Sequence, residues 1–174
     1  MGMIMSMFQK SHRVIILGQN AVGKTTVLNA MIHGYLAPHP IPIPVYGFAV
    51  ECGVYKQFNL IVFDVPLLNM NIPNAVRSDI NFVQWNGMYE PQEAVIFILN
   101  ATEPLESKES LHRLLTLDSL KGKPFLILAN FCDLLQHDPS ESIIKDLELE
   151  KYGRGREWTL RSVSSAKGDG DFVF

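Results

Sequence analysis

One run of residues constrains this chain more than any other: Val14-Ile15-Ile16-Leu17-Gly18-Gln19-Asn20-Ala21-Val22-Gly23-Lys24-Thr25-Thr26. Four apolar residues in succession read as a parallel strand buried on both faces, because a half-exposed strand alternates apolar with polar. The strand stops at a glycine, and helix-compatible residues begin at Lys24 and continue to Gly34, where glycine suits a helix end. A buried parallel strand must be followed by a crossover that covers the sheet, so the fold has to be α/β.

The turn between strand and helix has its own chemistry. Gly18-Gln19-Asn20-Ala21-Val22-Gly23-Lys24-Thr25 fits G-x-x-x-x-G-K-[ST]. The glycines let the backbone curl until several N–H groups converge on one anion, and the helix that follows presents its positive end. A phosphate chain would lie on Gly18, Gln19, Asn20, Ala21, Val22 and Gly23, with Lys24, Thr25 and Thr26 at the helix start. Lys24 reaches the β- and γ-phosphates, and the Thr25 hydroxyl is placed to ligate Mg²⁺. The competing reading is a chance glycine-rich turn. The strand before it and the helix after it weigh against that.

Along the chain, prolines at alternate positions from Pro38 to Pro44 exclude helix and ladder hydrogen bonds, leaving an extended surface loop. Residues 48–58 and 59–65 read as a tight antiparallel hairpin. Residues 66–91, rich in Asn, Pro and Gly, read as a long loop of the kind that is usually functional. Ala94-Val95-Ile96-Phe97-Ile98-Leu99 and residues 124–129 are further buried strands, and residues 158–163 form the last one. Leucines at helical spacing predict a helix over 106–120. Ser140 as N-cap and Gly153 just past the end predict another over 140–152. The expected fold class is therefore α/β: three layers around a six-stranded, mostly parallel sheet with one antiparallel edge hairpin. The 174 residues suit a single domain over 12–174, preceded by an apolar segment over 1–11.

Composition narrows the function. With 47% apolar and 19% charged residues the chain is not disordered, and a net charge of −3 with scattered Lys and Arg advertises no nucleic-acid surface. Two cysteines, Cys52 and Cys132, lack metal spacing and read as reduced thiols of a cytoplasmic protein. No apolar run reaches the roughly 18 to 20 residues that span a bilayer.

Two later segments fall at strand ends. Asn130-Phe131-Cys132-Asp133 follows the 124–129 strand, and Ser165-Ala166-Lys167 follows the last strand. A carboxylate at Asp133 can accept two hydrogen bonds from guanine N1–H and its exocyclic amine, a donor pair adenine lacks. Asn130 can bond the purine edge and brace the cradle. By itself an Asx turn explains Asn130 and Asp133 as well. The three signals together, each at a strand's C-terminal end, match where open α/β sheets bind ligands. Asp64, closing the strand of the hairpin, is placed to bind Mg²⁺ through water.

Gly47-Phe48-Ala49-Val50-Glu51-Cys52-Gly53-Val54-Tyr55-Lys56, running on to Val62-Phe63-Asp64-Val65, resembles the interswitch hairpin of the ADP-ribosylation-factor family of small GTPases, G-F-x-V-E-x-x-x-Y-K followed by V-W-D-V-G-G-Q. The doubled threonine of Gly23-Lys24-Thr25-Thr26 and the N-terminal Met1-Gly2 with Ser6 are similar to that family too. The resemblance implies GTP or GDP with Mg²⁺ as ligands. It also implies a Ser165-Ala166-Lys167 loop that offers a backbone N–H to the guanine carbonyl, and a switch that recruits an effector or assembly protein through the hairpin, often on membranes. Met1-Gly2-Met3-Ile4-Met5-Ser6 fits the pattern for myristoylation at Gly2, with a plain apolar tail as the alternative.

The chain departs from the family where the switch and the hydrolytic residue belong. Val45 stands for the threonine that ligates Mg²⁺, and Pro66-Leu67-Leu68 for Gly-Gly-Gln. Leu68 cannot orient an attacking water, so no catalytic residue is assigned and weak or absent hydrolysis is expected. Phe131 replaces the lysine whose stem lies along guanine, and its ring could stack there instead. The family's last helix would be cut to a stub by Phe174. Two readings follow: a trafficking switch that binds GTP, or a pseudo-GTPase serving as a structural subunit. A third, a P-loop kinase for a small molecule, fits neither Asn130 and Asp133 nor the hairpin.

Overall fold

In a computed structural model of the chain, residues 12–33, 49–64 and 92–165 are described. Six strands form one sheet in the order β2-β3-β1-β4-β5-β6. They are β1 (His12–Gly18), β2 (Ala49–Tyr55), β3 (Phe58–Asp64), β4 (Ala94–Asn100), β5 (Phe125–Asn130) and β6 (Trp158–Ser162). All neighbours pair in parallel except β2 with β3, which form the antiparallel edge hairpin. The helices are α1 (Lys24–His33), α2 (Lys108–Thr116), α3 (Ser140–Asp146) and the single turn α4 (Leu149–Tyr152).

Burial explains why the central strands are apolar without alternation. From β1, Ile15 and Leu17 join Phe97, Leu111, Leu115, Ile143 and Leu149 on one face. Val14 and Ile16 join Val27, Leu28 and Met31 on the other. Each face is thus sealed by helix, α2 to α4 on the first and α1 on the second, and the three-layer expectation is met. The expected stub of a last helix falls outside the described residues, as do the segments 34–48 and 66–91.

Three boundaries differ from the sequence expectation, each for a local reason. The hairpin turns at Lys56 and Gln57, with Lys56 at a φ of 52°, so Phe58, expected to end the first strand, instead opens β3 opposite Tyr55. The 106–120 helix is interrupted: Pro104–Ser107 is a 3₁₀ turn running into α2, and after α2 Leu117 is extended before a second 3₁₀ turn, Asp118–Leu120. The Thr116 hydroxyl bonds back to His112 O at 2.9 Å, and the Arg156 guanidinium donates to the carbonyls of Leu117, at 2.9 Å, and Leu120, each of which also accepts a backbone N–H of the following turn. The 140–152 helix breaks at Glu148, which takes a left-handed φ of 50°. There the Leu147 carbonyl hydrogen-bonds His112 Nε2 at 2.7 Å and the Glu148 carboxylate pairs with Lys108 at 2.7 Å. In both helices a long-range polar partner outweighs local propensity.

His12 and Arg13, ahead of the apolar run Val14 to Leu17, are the first two residues of β1. His12 Nδ1 lies 2.6 Å from the Glu93 carboxylate, across the β1–β4 seam. The N-cap of α3 is not Ser140. The N-cap position is Pro139, and Asp138 before it accepts from Ser140 N–H at 3.1 Å.

Gly53 sets how closely α1 sits on the hairpin, since a Cβ there would lie 1.8 Å from Ile32 Cδ1. Gly53→Val is expected to lift α1 from β2 and cost about 1–3 kcal/mol. A urea midpoint unchanged from the parent chain would contradict that packing.

Candidate functional site

The cradle is built by the departure of β1 into α1. Gly18 leaves the strand pressed against β4: a Cβ on it would come within 2.3 Å of the Ile98 carbonyl oxygen. Gly23, at a φ of 90°, closes the loop, and a Cβ there would lie 2.4 Å from Asn130 Nδ2. Only glycine fits either place. The first helical bond, Val27 N–H to Gly23 O at 2.8 Å, starts α1 directly beneath the loop. Lys24 is only 3% exposed, and its ammonium donates to Gly18 O at 3.1 Å and Gln19 O at 2.6 Å. The one cation of the loop is therefore arched over the cradle by the loop's own carbonyls. Gln19 Nε2 donates to the carbonyl of Glu106, tying the cradle to the turn before α2. Val22 is buried, Thr25 half-buried, and Asn20, Ala21 and Thr26 are exposed.

Asn130, at the end of β5, joins the cradle to the far half of the site. It is fully buried. Its Nδ2 donates to Val22 O at 2.9 Å and to Ser165 Oγ at 3.0 Å, and its Oδ1 accepts from Ser165 N–H at 3.0 Å. Residues 22, 130 and 165, distant in the chain, are locked by one amide. Asp133 is half-buried in the 3₁₀ turn Cys132–Leu134, which opens from Phe131 at a left-handed φ of 68°. That conformation is strained for an aromatic residue. The strain is met by bonds of the next residue: Cys132 N–H and Sγ both reach Val163 O, at 3.2 and 2.6 Å. Burial pushes the Cys132 thiol above its ordinary range, against the backbone hydrogen bond that lowers it.

A second network stands behind this turn. Asp138 accepts from Ser162 Oγ at 2.6 Å and Ser140 Oγ at 2.7 Å, joining the start of α3 to the end of β6. Those hydroxyls, Ser162 first, hold its carboxyl below the usual carboxylate range. Sequence reading missed both the Cys132 tie and this network. Asp138-Pro139-Ser140 carried an Asx-turn signal for the local half; nothing local marked Ser162.

Asp64 ends β3. The parallel β1–β3 register pairs Ile16 with Val62, so two residues further on Asp64 comes level with Gly18. Gly18, Asp64, Asn130 and Ser165 thus all lie at or just past the C-terminal ends of strands, along one rim of the sheet. Gly2, Val45, Leu68, Ala166 and Lys167 lie outside the described residues.

Fold and cradle together define a P-loop α/β protein of the small-GTPase type. The comparison with known proteins narrows the class: the sequence profile of the ADP-ribosylation factor family matches residues 1–172, and the chain belongs to that family. It is similar to ADP-ribosylation factors K and J of Dictyostelium discoideum, each 30% identical over 172 residues that cover 96% of this chain and 84% of the relative. Among solved structures it resembles the Arl6 BBS3 small GTPase from Trypanosoma brucei with bound nucleotide analogue GppNp. The TM-score is 0.65 at 19% identity, over 91% of this chain and 90% of that one, a likeness of fold.

Proposed function

We propose that this chain binds GTP or GDP with Mg²⁺ and acts as a nucleotide-dependent switch or adaptor in membrane or ciliary protein trafficking, with weak or absent hydrolysis. The observation that carries the reading is the Asn130 lock, which holds the phosphate cradle and the base-side loop in one rigid unit. The residues present fit the nucleotide. Gly18 and Gly23 leave the loop without side chains where a polyphosphate would lie, and Lys24 supplies the ammonium. Asp133 and the loop from Ser165 through Ala166 and Lys167 would take guanine, with Phe131 against its face. Thr25 and Asp64 would hold Mg²⁺, which neutralises phosphate charge when bound.

Val45 and Pro66-Leu67-Leu68 stand where the switch threonine and the Gly-Gly-Gln run belong in the resembled family. They favour a second reading, in which nucleotide is a permanent structural ligand of a pseudo-GTPase within a larger assembly. Effector or assembly contacts would run through the hairpin, and residues 1–11, with Gly2 as a myristoylation site, would meet a membrane surface peripherally. Among the described residues no helix is long and apolar enough to cross a membrane.

Titration with labelled GDP and GTP, with ATP as control, tests the main claim. Guanine selectivity is expected, and equal affinity for ATP would remove it. Single-turnover phosphate release then separates the readings. Slow turnover with nucleotide exchange supports a switch, nucleotide that neither turns over nor exchanges supports the structural role, and turnover matching active relatives would overturn the Leu68 reasoning.

A further inference from the structure

Among the described residues, β2 is the end strand of the sheet. Its seven residues, Ala49–Tyr55, contain neither proline nor lysine, the residues that commonly blunt such an edge. Cys52 is exposed, and Val54 is 63% exposed.

The hairpin phase fixes which backbone groups face outward. Lys56 and Gln57 form a two-residue turn joining the paired residues Tyr55 and Phe58. The pair flanking such a turn is hydrogen-bonded, and bonded and non-bonded pairs alternate from there. Tyr55, Gly53 and Glu51 therefore turn their amide groups toward β3. Val54, Cys52 and Val50 turn theirs outward, away from β3.

We propose that this edge pairs with the same edge of a second copy of the chain, antiparallel about a two-fold axis through Cys52. Cys52 is the midpoint of the strand, so this axis overlaps all seven residues of both copies. It also brings the outward groups of Val50, Cys52 and Val54 opposite outward groups, closing hydrogen-bonded pairs. Val-Glu-Cys-Gly-Val reads nearly alike in both directions: Val50 meets Val54 of the second copy, and Cys52 meets its own counterpart. Glu51, the one charged residue of the strand, meets a glycine, so no like charges stand opposite. A foreign strand would need only backbone; the self-complementary order of residues favours an isologous dimer. The inference does not depend on nucleotide binding.

Hydrogen-bonded antiparallel pairs bring Cα atoms to about 5.5 Å, within the disulfide range. Cross-linking the full chain with copper–phenanthroline therefore reports the register. Two Cys52 thiols lose two protons and two electrons to the oxidant and form one disulfide. The expected result is a dimer mass by light scattering of the reduced chain at high concentration. A Cys52–Cys52 link should form in the parent chain and in Cys132→Ser, and be absent in Cys52→Ser. Val54→Lys should weaken association about tenfold, since a lysine ammonium replaces an apolar pair twice per dimer. A monomer at every concentration, with Cys52 linking no faster than Cys132, would overturn the proposal. So would a dimer that yields no Cys52 link. Both decisive measurements use the parent chain and stand even if Val54→Lys misfolds.

Discussion

Lys24→Ala is expected to abolish measurable nucleotide binding while leaving the fold intact. The ammonium is the only positive side chain within residues 18–26. Its bonds to Gly18 O and Gln19 O place it over the cradle before any ligand arrives, so its positioning is built into the fold. Each charge-assisted bond to phosphate contributes about 1.5–3 kcal/mol, and loss of two would lower affinity roughly a hundred- to ten-thousandfold. Because Lys24 is buried, alanine also removes packing. Lys24→Met keeps most of the stem and removes only the charge, and it should show the same binding loss with a thermal midpoint near that of the parent. Arginine would not rescue, since its planar fork is broader than the ammonium this 3%-exposed site encloses. Unchanged affinity for GDP in Lys24→Met would show that the loop holds no phosphate.

What the sequence discloses and what it conceals divide along a physical line. The run from Val14 to Leu17 and the glycine after it are legible because burial on two faces and a required φ leave few residue choices. The parallel sheet follows from several such runs, and the family from the hairpin's residues. The cradle and Asn130 were found the same way, since each stands at the end of a strand recognisable from its own composition. The breaks at Leu117 and Glu148 were not legible. They coincide with Arg156 and His112 arriving from elsewhere in the fold to hydrogen-bond carbonyls at those points, and no local pattern records that. The hairpin turn was misplaced for a related reason. Lys56 adopts a left-handed conformation usually left to Gly or Asn, because the pairing of seven residues on each side fixes the register.

Asn130→Ala is expected to produce the largest stability loss of any single change at the site. The side chain is fully buried and serves three partners, so its removal strands Val22 O, Ser165 N–H and Ser165 Oγ away from water. At about 1–3 kcal/mol for each stranded group, partly offset by local relaxation, a total near 3–5 kcal/mol follows. For a domain of this size that lowers the melting temperature by about 10 °C. Ser165→Ala removes one hydroxyl and leaves the two backbone bonds, so it should cost only about 1 kcal/mol. Asn130→Asp is the sharper experiment. It keeps the acceptor for Ser165 N–H but turns a second oxygen toward the Val22 carbonyl, where only a donor fits. Burial beside that carbonyl raises the folded-state pKa of the new carboxyl. The protonated acid can donate to Val22 O, so its stabilising contribution is present below the unfolded pKa of about 4 and is lost as pH rises through the folded value. The deficit of Asn130→Asp relative to the parent should therefore widen as pH is raised from 4, whereas that of Asn130→Ala should not vary with the carboxyl. Denaturant midpoints measured across that range without nucleotide separate the two. A pH-independent deficit for both would show that the amide is not the joint between cradle and base loop.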